Sequence, residues 1–193
     1  MKNIDSQIFR TQLVDNLAAA QRTQLSIEGF QRAGVLVPIL LGSGPPELLF
    51  TKRTDSVDTH KGQISFPGGM ADEADRDIVS TSLRETHEEL GIPESSVHVA
   101  GLLDDHATPT RFIITPVVGI IENLPELSLN MDEVAEVFRV PLEFFVNPSN
   151  GRVQQREFRG TLLDVWFYEY GSHTIWGATA MIVRSLLKRL AMV

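Results

Sequence analysis

Residues 84–92 read RETHEELGI, and this stretch decides how the rest of the chain is interpreted. Four of its first six side chains are charged, and three of those four are glutamates. A helix is expected here, because Asp75 or Asp77 can cap its start and Gly91 followed by Pro93 ends it. Three like charges within two helical turns require an explanation.

The helical geometry sorts these side chains into faces. On a helix that advances about 100° per residue, Glu85 and Glu89 lie one turn apart on one side. Glu88 flanks them within about 60° of Glu85, and Arg84 lies one turn before Glu88, where it can pair with that carboxylate. The opposite side is the predicted core face, formed by Val79, Leu83, Thr86 and Leu90. The glutamates are therefore expected to point away from the core.

A divalent cation is the interpretation that explains the acidic face. Carboxylates four residues apart repel each other, and Glu85 and Glu89 lie near the C-terminal end of the helix, where the helix dipole disfavours anions. Magnesium or manganese would remove both penalties, and both ions accept hard oxygen ligands together with phosphate oxygens. A solvated acidic surface is the alternative. The full spacing has a chance of roughly 10⁻⁴ at average composition, which favours the metal site.

With the preceding glycine pair, these residues resemble the Nudix box. That motif reads Gly, five residues, Glu, seven residues, then Arg-Glu-aliphatic-x-Glu-Glu-x-Gly-aliphatic. The matching residues are Gly69, Arg84, Glu85, Glu88, Glu89, Gly91 and Ile92. Asp75 takes the place of the first Glu, but eight residues separate it from Arg84, and Thr86 replaces the usual aliphatic or small residue. Asp75 is therefore left out of the predicted metal site.

The stretch upstream resembles one branch of this family, the coenzyme A pyrophosphatases. LLFTKRTDSVDTHKGQISFPGG, residues 48–69, shares with that signature Leu49, Thr51, Arg53, Gly62, Phe66, Pro67, Gly68 and Gly69. Asp58 stands where the branch usually carries a basic residue, and Thr54 replaces Ser or Ala. The stretches ITPVVGII, DEVAEVFRVPL and IWGATA further along are also similar, so the resemblance covers about residues 35–187.

What the resemblance implies is hydrolysis of a diphosphate bond, in this branch that of coenzyme A, to 3′-phospho-AMP and 4′-phosphopantetheine. Glu85 and Glu89 are the predicted main ligands of Mg²⁺ or Mn²⁺. Glu88 is predicted as a third ligand or as the holder of a metal-bound water, and Arg84 as the residue that holds Glu88. The general base stays open between a ligand glutamate and Glu133.

Substrate contacts are predicted on both sides of the glycine pair. Gly68 and Gly69 lack a Cβ, so their backbone can approach the metal and the phosphates closely. Lys52, Arg53 and Lys61 are the nearest basic residues and are candidates to meet the additional phosphates of the substrate, with plain surface solvation as the alternative.

The pattern along the chain predicts an α+β fold, with a Nudix-type mixed β-sheet sandwiched between helices. Strands dominate the middle, and the tail from Gly177 to Met192 has helical spacing. Residues 133–142, EVAEVFRVPL, fit strand or helix, with a turn at Pro141. We expect a single domain over residues 1–193, with an N-terminal helical extension of about 30 residues whose helix covers Ile8 to Leu25.

Composition narrows the classes of partner and compartment. The net charge is −8, which argues against a general nucleic-acid-binding surface. The chain has no cysteine, which excludes disulfides and thiolate chemistry, and its first residues lack the apolar core of a signal peptide. We expect a cytoplasmic protein that binds a small molecule, not a membrane. A homodimer is one of the assemblies that the sequence leaves open.

Two other functions stay open at this stage. The same enzyme chemistry could act on ADP-ribose or another nucleoside diphosphate derivative, and Asp58 favours this alternative. The fold could also serve as a non-catalytic nucleotide-sensing module, although such proteins usually lose metal carboxylates and all three are present here.

Overall fold

The structure, a computed structural model, describes residues 6–54, 62–158 and 160–193. Its helices are α1 (Ser6–Ala19), α2 (Ile78–Leu90), α3 (Leu142–Val146) and α4 (Gly177–Arg189). Its strands are β1 (Gln31–Leu40), β2 (Glu47–Arg53), β3 (Ile64–Ser65), β4 (Gly68–Met70), β5 (His98–Leu102), β6 (His106–Ala107), β7 (Phe112–Ile121), β8 (Val134–Pro141), β9 (Gly151–Phe158), β10 (Thr161–Tyr170) and β11 (His173–Trp176).

The larger sheet is mixed. Its main order is β3-β2-β1-β7-β5, while β4 pairs with β1, β6 with β7 and β8 with β2. Strands β1 and β7 are parallel over ten residue pairs, and the other pairings are antiparallel. The ambiguous stretch 133–142 is mainly a strand, β8, which pairs along the whole length of β2. Strands β9, β10 and β11 form a second, antiparallel sheet.

Hydrophobic cores lie on both faces of the larger sheet. One core receives Leu13 of α1 and Val183 of α4, and the other receives Leu90 of α2. The predicted α+β architecture, a mixed sheet between helices, is therefore confirmed. In the part of the chain that the structure describes, every helix falls short of the length and apolar character that a membrane span requires.

The N-terminal helix ends six residues earlier than predicted, at Ala19 instead of Leu25. The chain beyond it is held in an extended path by a buried carboxylate, Asp105, which accepts hydrogen bonds from the Arg22 guanidinium and from the Leu25 backbone N–H. The side chain of Asp105 is fully buried. Continuing the helix would remove these partners from a buried charge, so the tertiary contact overrides the helical pattern.

Candidate metal and diphosphate site

Helix α2 begins and ends where the sequence predicts. The Asp77 side chain accepts a hydrogen bond from the Ser80 backbone N–H at 2.8 Å, which makes Asp77 the N-cap. Gly91 closes the helix in the left-handed conformation, with φ of 71°, and its N–H donates to the His87 carbonyl at 2.8 Å. The two ends of the helix are thus determined by local capping residues.

The predicted core face of α2 is wrong in detail. The buried residues of the helix are Thr81, Ser82, Thr86, Glu89 and Leu90, whereas Val79 and Leu83 are only partly buried. The reason is Gly34 on β1: a Cβ at that position would lie 2.7 Å from the Ile78 carbonyl oxygen, so the helix backbone rests directly on the strand.

This close contact turns Glu85 and Glu89 toward the sheet. Residues 78, 82, 85 and 89 form one stripe at helical spacing, and the end of that stripe faces the glycine pair of β4. A Cβ on Gly69 would lie 2.4 Å from the Glu85 carboxyl carbon. The Gly68 N–H donates to Glu89 Oε2 at 3.3 Å. The structure therefore brings Glu85, Glu89, Gly68 and Gly69 together, and a side chain at position 69 would displace the Glu85 carboxylate.

Burial gives Glu89 an unusual electrostatic state. Its relative exposure is 4%, and this desolvation raises its pKa to about 8. Arg53 and the Gly68 N–H oppose the rise, while the charges of Glu133 and Glu85 add to it. Burial also raises the pKa of Glu85, and Arg84 opposes that change. A cation placed beside these two carboxylates would relieve the penalty in both.

Arg84 organises the outer side of the site. It pairs with Glu88 at 3.0 Å, as predicted from their spacing, and also with Glu85 at 3.0 Å. Its Nε and Nη2 donate to both oxygens of Asp75, at 2.9 and 3.1 Å. This contact holds the pKa of Asp75 well below its usual range. Sequence reasoning missed Asp75 as the holder of Arg84, because only the folded loop brings residues nine apart into a bidentate pair.

The three glutamates do not all converge. Glu88 lies at the surface, with its side chain 55% exposed, and Arg84 stands between it and Glu85. Among the described residues, no three acidic or histidine side chains meet around one point that could hold a metal ion. The donors that fit a hard divalent cation best are therefore Glu89, which is buried, and Glu85, which is partly buried and lies against Gly69.

Of the other predicted residues, some lie near Glu85 and Glu89 and others do not. Glu133 lies close enough to raise the pKa of both Glu85 and Glu89, and the Thr54 N–H donates to its backbone carbonyl at 3.0 Å. Arg53 also lies close enough to Glu89 for its positive charge to lower the pKa of that carboxyl. Lys61 and Asp58 lie outside the described residues.

Alternation along β2 separates its two basic residues. Leu49 packs in the core cluster of Leu90, on the α2 side, and Phe50 packs in the cluster on the other side of the sheet. Because side chains alternate along a strand, Arg53 shares the α2 side with Leu49, whereas Lys52 shares the side of Phe50. The structure therefore does not bring Lys52 to the glutamates.

Comparisons with known proteins identify the family of this chain. A family model described as the NUDIX domain matches residues 30–162. The Nudix hydrolase NudL of Photorhabdus laumondii is 38% identical over 160 residues, which make up 83% of this chain and 85% of that protein. NudL of Yersinia pestis is 38% identical over 162 residues, covering 83% and 80%. This chain belongs to the Nudix hydrolase family.

A Nudix hydrolase is a pyrophosphohydrolase, and members of the family generally depend on a divalent cation and act on small nucleoside diphosphate substrates. Solved structures support the shared fold. A Nudix hydrolase of Alicyclobacillus acidocaldarius has a TM-score of 0.58 at 19% identity and covers 86% of this chain and 97% of that one. A MutT/nudix family protein of Enterococcus faecalis also has a TM-score of 0.58, at 16% identity, covering 89% and 66%.

Proposed function

We propose that this Nudix hydrolase is a coenzyme A diphosphatase that uses Mg²⁺ or Mn²⁺ and releases 3′-phospho-AMP and 4′-phosphopantetheine. The single observation behind the hydrolytic part is the placement of Glu85 and Glu89 against Gly68 and Gly69. The choice of coenzyme A is supported by the resemblance of residues 48–69 to the coenzyme A branch.

In this proposal each residue has a physical task. Glu85 and Glu89 hold the cation, and Glu88 contributes through a water at the outer side. Bound there, the metal would neutralise charge on the diphosphate and lower the pKa of a water. Arg84, fixed by Asp75, orients Glu85 and Glu88 through its guanidinium. Gly68 and Gly69 leave room for the substrate phosphates beside the carboxylates.

Glu133 is the proposed general base. Its carboxylate approaches from a loop that is separate from α2, and the Asn130 side-chain amide donates to it at 3.2 Å. A base that is not committed to the metal can accept a proton from the attacking water. Replacing Glu133 by Gln should lower kcat about 10²- to 10⁴-fold without changing Mn²⁺ affinity strongly.

The test is a substrate panel with the purified protein. Coenzyme A, dephospho-coenzyme A, ADP-ribose and dinucleoside polyphosphates are incubated with Mg²⁺ or Mn²⁺, and the products are separated by chromatography. We expect the highest kcat/KM for coenzyme A. If coenzyme A stays intact after prolonged incubation, the proposed substrate is wrong.

ADP-ribose is the second candidate substrate. Asp58 replaces a basic residue of the coenzyme A signature, which weakens the positive charge available for a 3′-phosphate. A higher kcat/KM for ADP-ribose than for coenzyme A in the same panel would select it. No turnover of any substrate by a folded, metal-binding protein would instead favour a nucleotide-sensing module.

A further inference from the structure

The location of Arg53 in the fold differs from that of its neighbours in the sequence. It is the last residue of β2, and its backbone N–H donates to the Gln63 carbonyl at 3.0 Å. Its partner strand β8 contains an irregularity at this point, where pairing passes from Lys52–Glu136 to Arg53–Val134. Strand alternation places the side chain on the α2 side of the sheet, near enough to Glu89 for its positive charge to oppose the rise of the Glu89 pKa.

Arg53 and Arg84 differ in the contacts that their guanidinium groups make within the protein. The ion pairs described for Glu85 and Glu88 both go to Arg84, which is also held by Asp75. Arg53 Nε, by contrast, is buried and has no hydrogen-bond partner among the described residues. A buried donor without an acceptor destabilises the folded protein, and more so in a charged group. An acceptor supplied by a ligand would remove this cost.

We infer that Arg53 donates to the oxygens of the diphosphate that is cleaved, and not to the 3′-phosphate of the substrate. This inference rests on the proposed function. A metal held by Glu85 and Glu89 would bind the diphosphate, so the anionic group beside Glu89 is the diphosphate. The 3′-phosphate is attached across the ribose ring and cannot occupy the same place. A planar guanidinium with fixed N–H donors matches phosphate oxygens well.

The chemical step shows what Arg53 would contribute. The oxygen of water bonds to one phosphorus, and the bond from that phosphorus to the bridging oxygen breaks. The bridging oxygen keeps the electron pair and leaves on the other phosphate, and the proton lost by the water passes to a carboxylate. Arg53 stays protonated throughout. Its positive charge stabilises the negative charge that is redistributed over the phosphate oxygens, within a partly buried site where such interactions are strong.

Two substrates that differ only in the 3′-phosphate test this assignment. Coenzyme A and dephospho-coenzyme A are compared as substrates of the wild type, Arg53→Gln and Arg53→Lys, with Mg²⁺. We expect Arg53→Gln to lower kcat by about 10²- to 10³-fold, by the same factor for both substrates. Arg53→Lys should recover part of the loss, because it keeps the charge but not the fork of donors.

Arg139→Gln is the matched control. Arg139 lies on β8, its side chain is 54% exposed, and its ion pair with Glu47 at 3.9 Å is at the far end of β2. Its loss should leave kcat unchanged for both substrates. Melting temperature in EDTA and Mn²⁺ affinity are measured for all variants. If the role of Arg53 is purely structural, its replacement lowers the melting temperature or the Mn²⁺ affinity instead of kcat.

The outcomes separate this inference from the proposed function. A loss confined to coenzyme A would show that Arg53 contacts the 3′-phosphate, and an unchanged kcat would show that it contacts neither; both overturn the inference. If the wild type hydrolyses neither substrate, the proposed function fails, and titration calorimetry with inorganic diphosphate and Mn²⁺ then decides on Arg53. Binding at least tenfold weaker in Arg53→Gln supports the inference, and equal binding overturns it. If Arg53→Gln does not fold, Arg53→Lys serves in both measurements.

Discussion

Replacing Glu89 by Gln should stabilise the metal-free protein at high pH while it abolishes activity. Burial raises the pKa of this carboxyl from 4.5 to about 8. Each tenfold change in proton affinity corresponds to about 1.4 kcal/mol, so ionised Glu89 lowers the free energy of unfolding by about 5 kcal/mol at pH 9. That is a large share of the roughly 5–15 kcal/mol that holds a typical domain folded.

The sign follows from which state binds the proton. Below pH 4.5 the Glu89 carboxyl is protonated in both the folded and the unfolded chain, and it contributes no pH dependence. Between pH 4.5 and about 8 the unfolded chain loses the proton first, so the stability of the folded protein falls as the pH rises. Above pH 8 the penalty is complete. The neutral amide of Gln avoids it and can still accept the hydrogen bond from Gly68.

Urea unfolding in EDTA at pH 5, 7 and 9, followed by circular dichroism, measures this effect. We expect wild type and Glu89→Gln to have similar stabilities at pH 5, and the variant to be more stable by several kcal/mol at pH 9. Glu88→Gln is the control, because the side chain of Glu88 is 55% exposed and its removal should not produce this pH dependence. Added Mn²⁺ should stabilise the wild type more than Glu89→Gln. Equal stability of wild type and Glu89→Gln at pH 9 in EDTA would refute the reasoning.

Four other substitutions probe separate parts of the molecule. Gly69→Ala should reduce kcat/KM about 10²-fold, because the added Cβ displaces the Glu85 carboxylate while the fold persists. Gly34→Ala should instead lower the free energy of unfolding in urea by about 1–3 kcal/mol, because its Cβ meets the backbone of α2. Asp105→Ala should destabilise the protein by about 3–5 kcal/mol and expose the N-terminal segment to limited proteolysis, since it unpairs two arginines. His106→Leu should reduce the loss of thermal stability as pH falls below 6.5, because burial lowers the pKa of His106 and the folded state resists its protonation.

Local sequence signals were sufficient to predict the ends of α2 and one of its ion pairs. Asp77 and Gly91 set its ends, and the spacing of Arg84 and Glu88 placed their ion pair correctly. The orientation of the helix was not predictable in this way. It depends on Gly34, a residue on a distant strand whose missing side chain lets the helix backbone rest on β1 and turns Glu89 inward.

The sequence by itself determined the family and the α+β class, and it supplied the carboxylates proposed to hold a cation, because these follow from short-range spacing and motif identity. Only the tertiary structure decided which of these groups meet. Strand alternation places Arg53 on the side of Glu89 and Lys52 on the other side of the sheet. The loop before α2 brings Asp75 to Arg84, and a separate loop brings Glu133 to the site. Contacts between distant segments depend on how helices and strands pack, and no local pattern of residues specifies that packing.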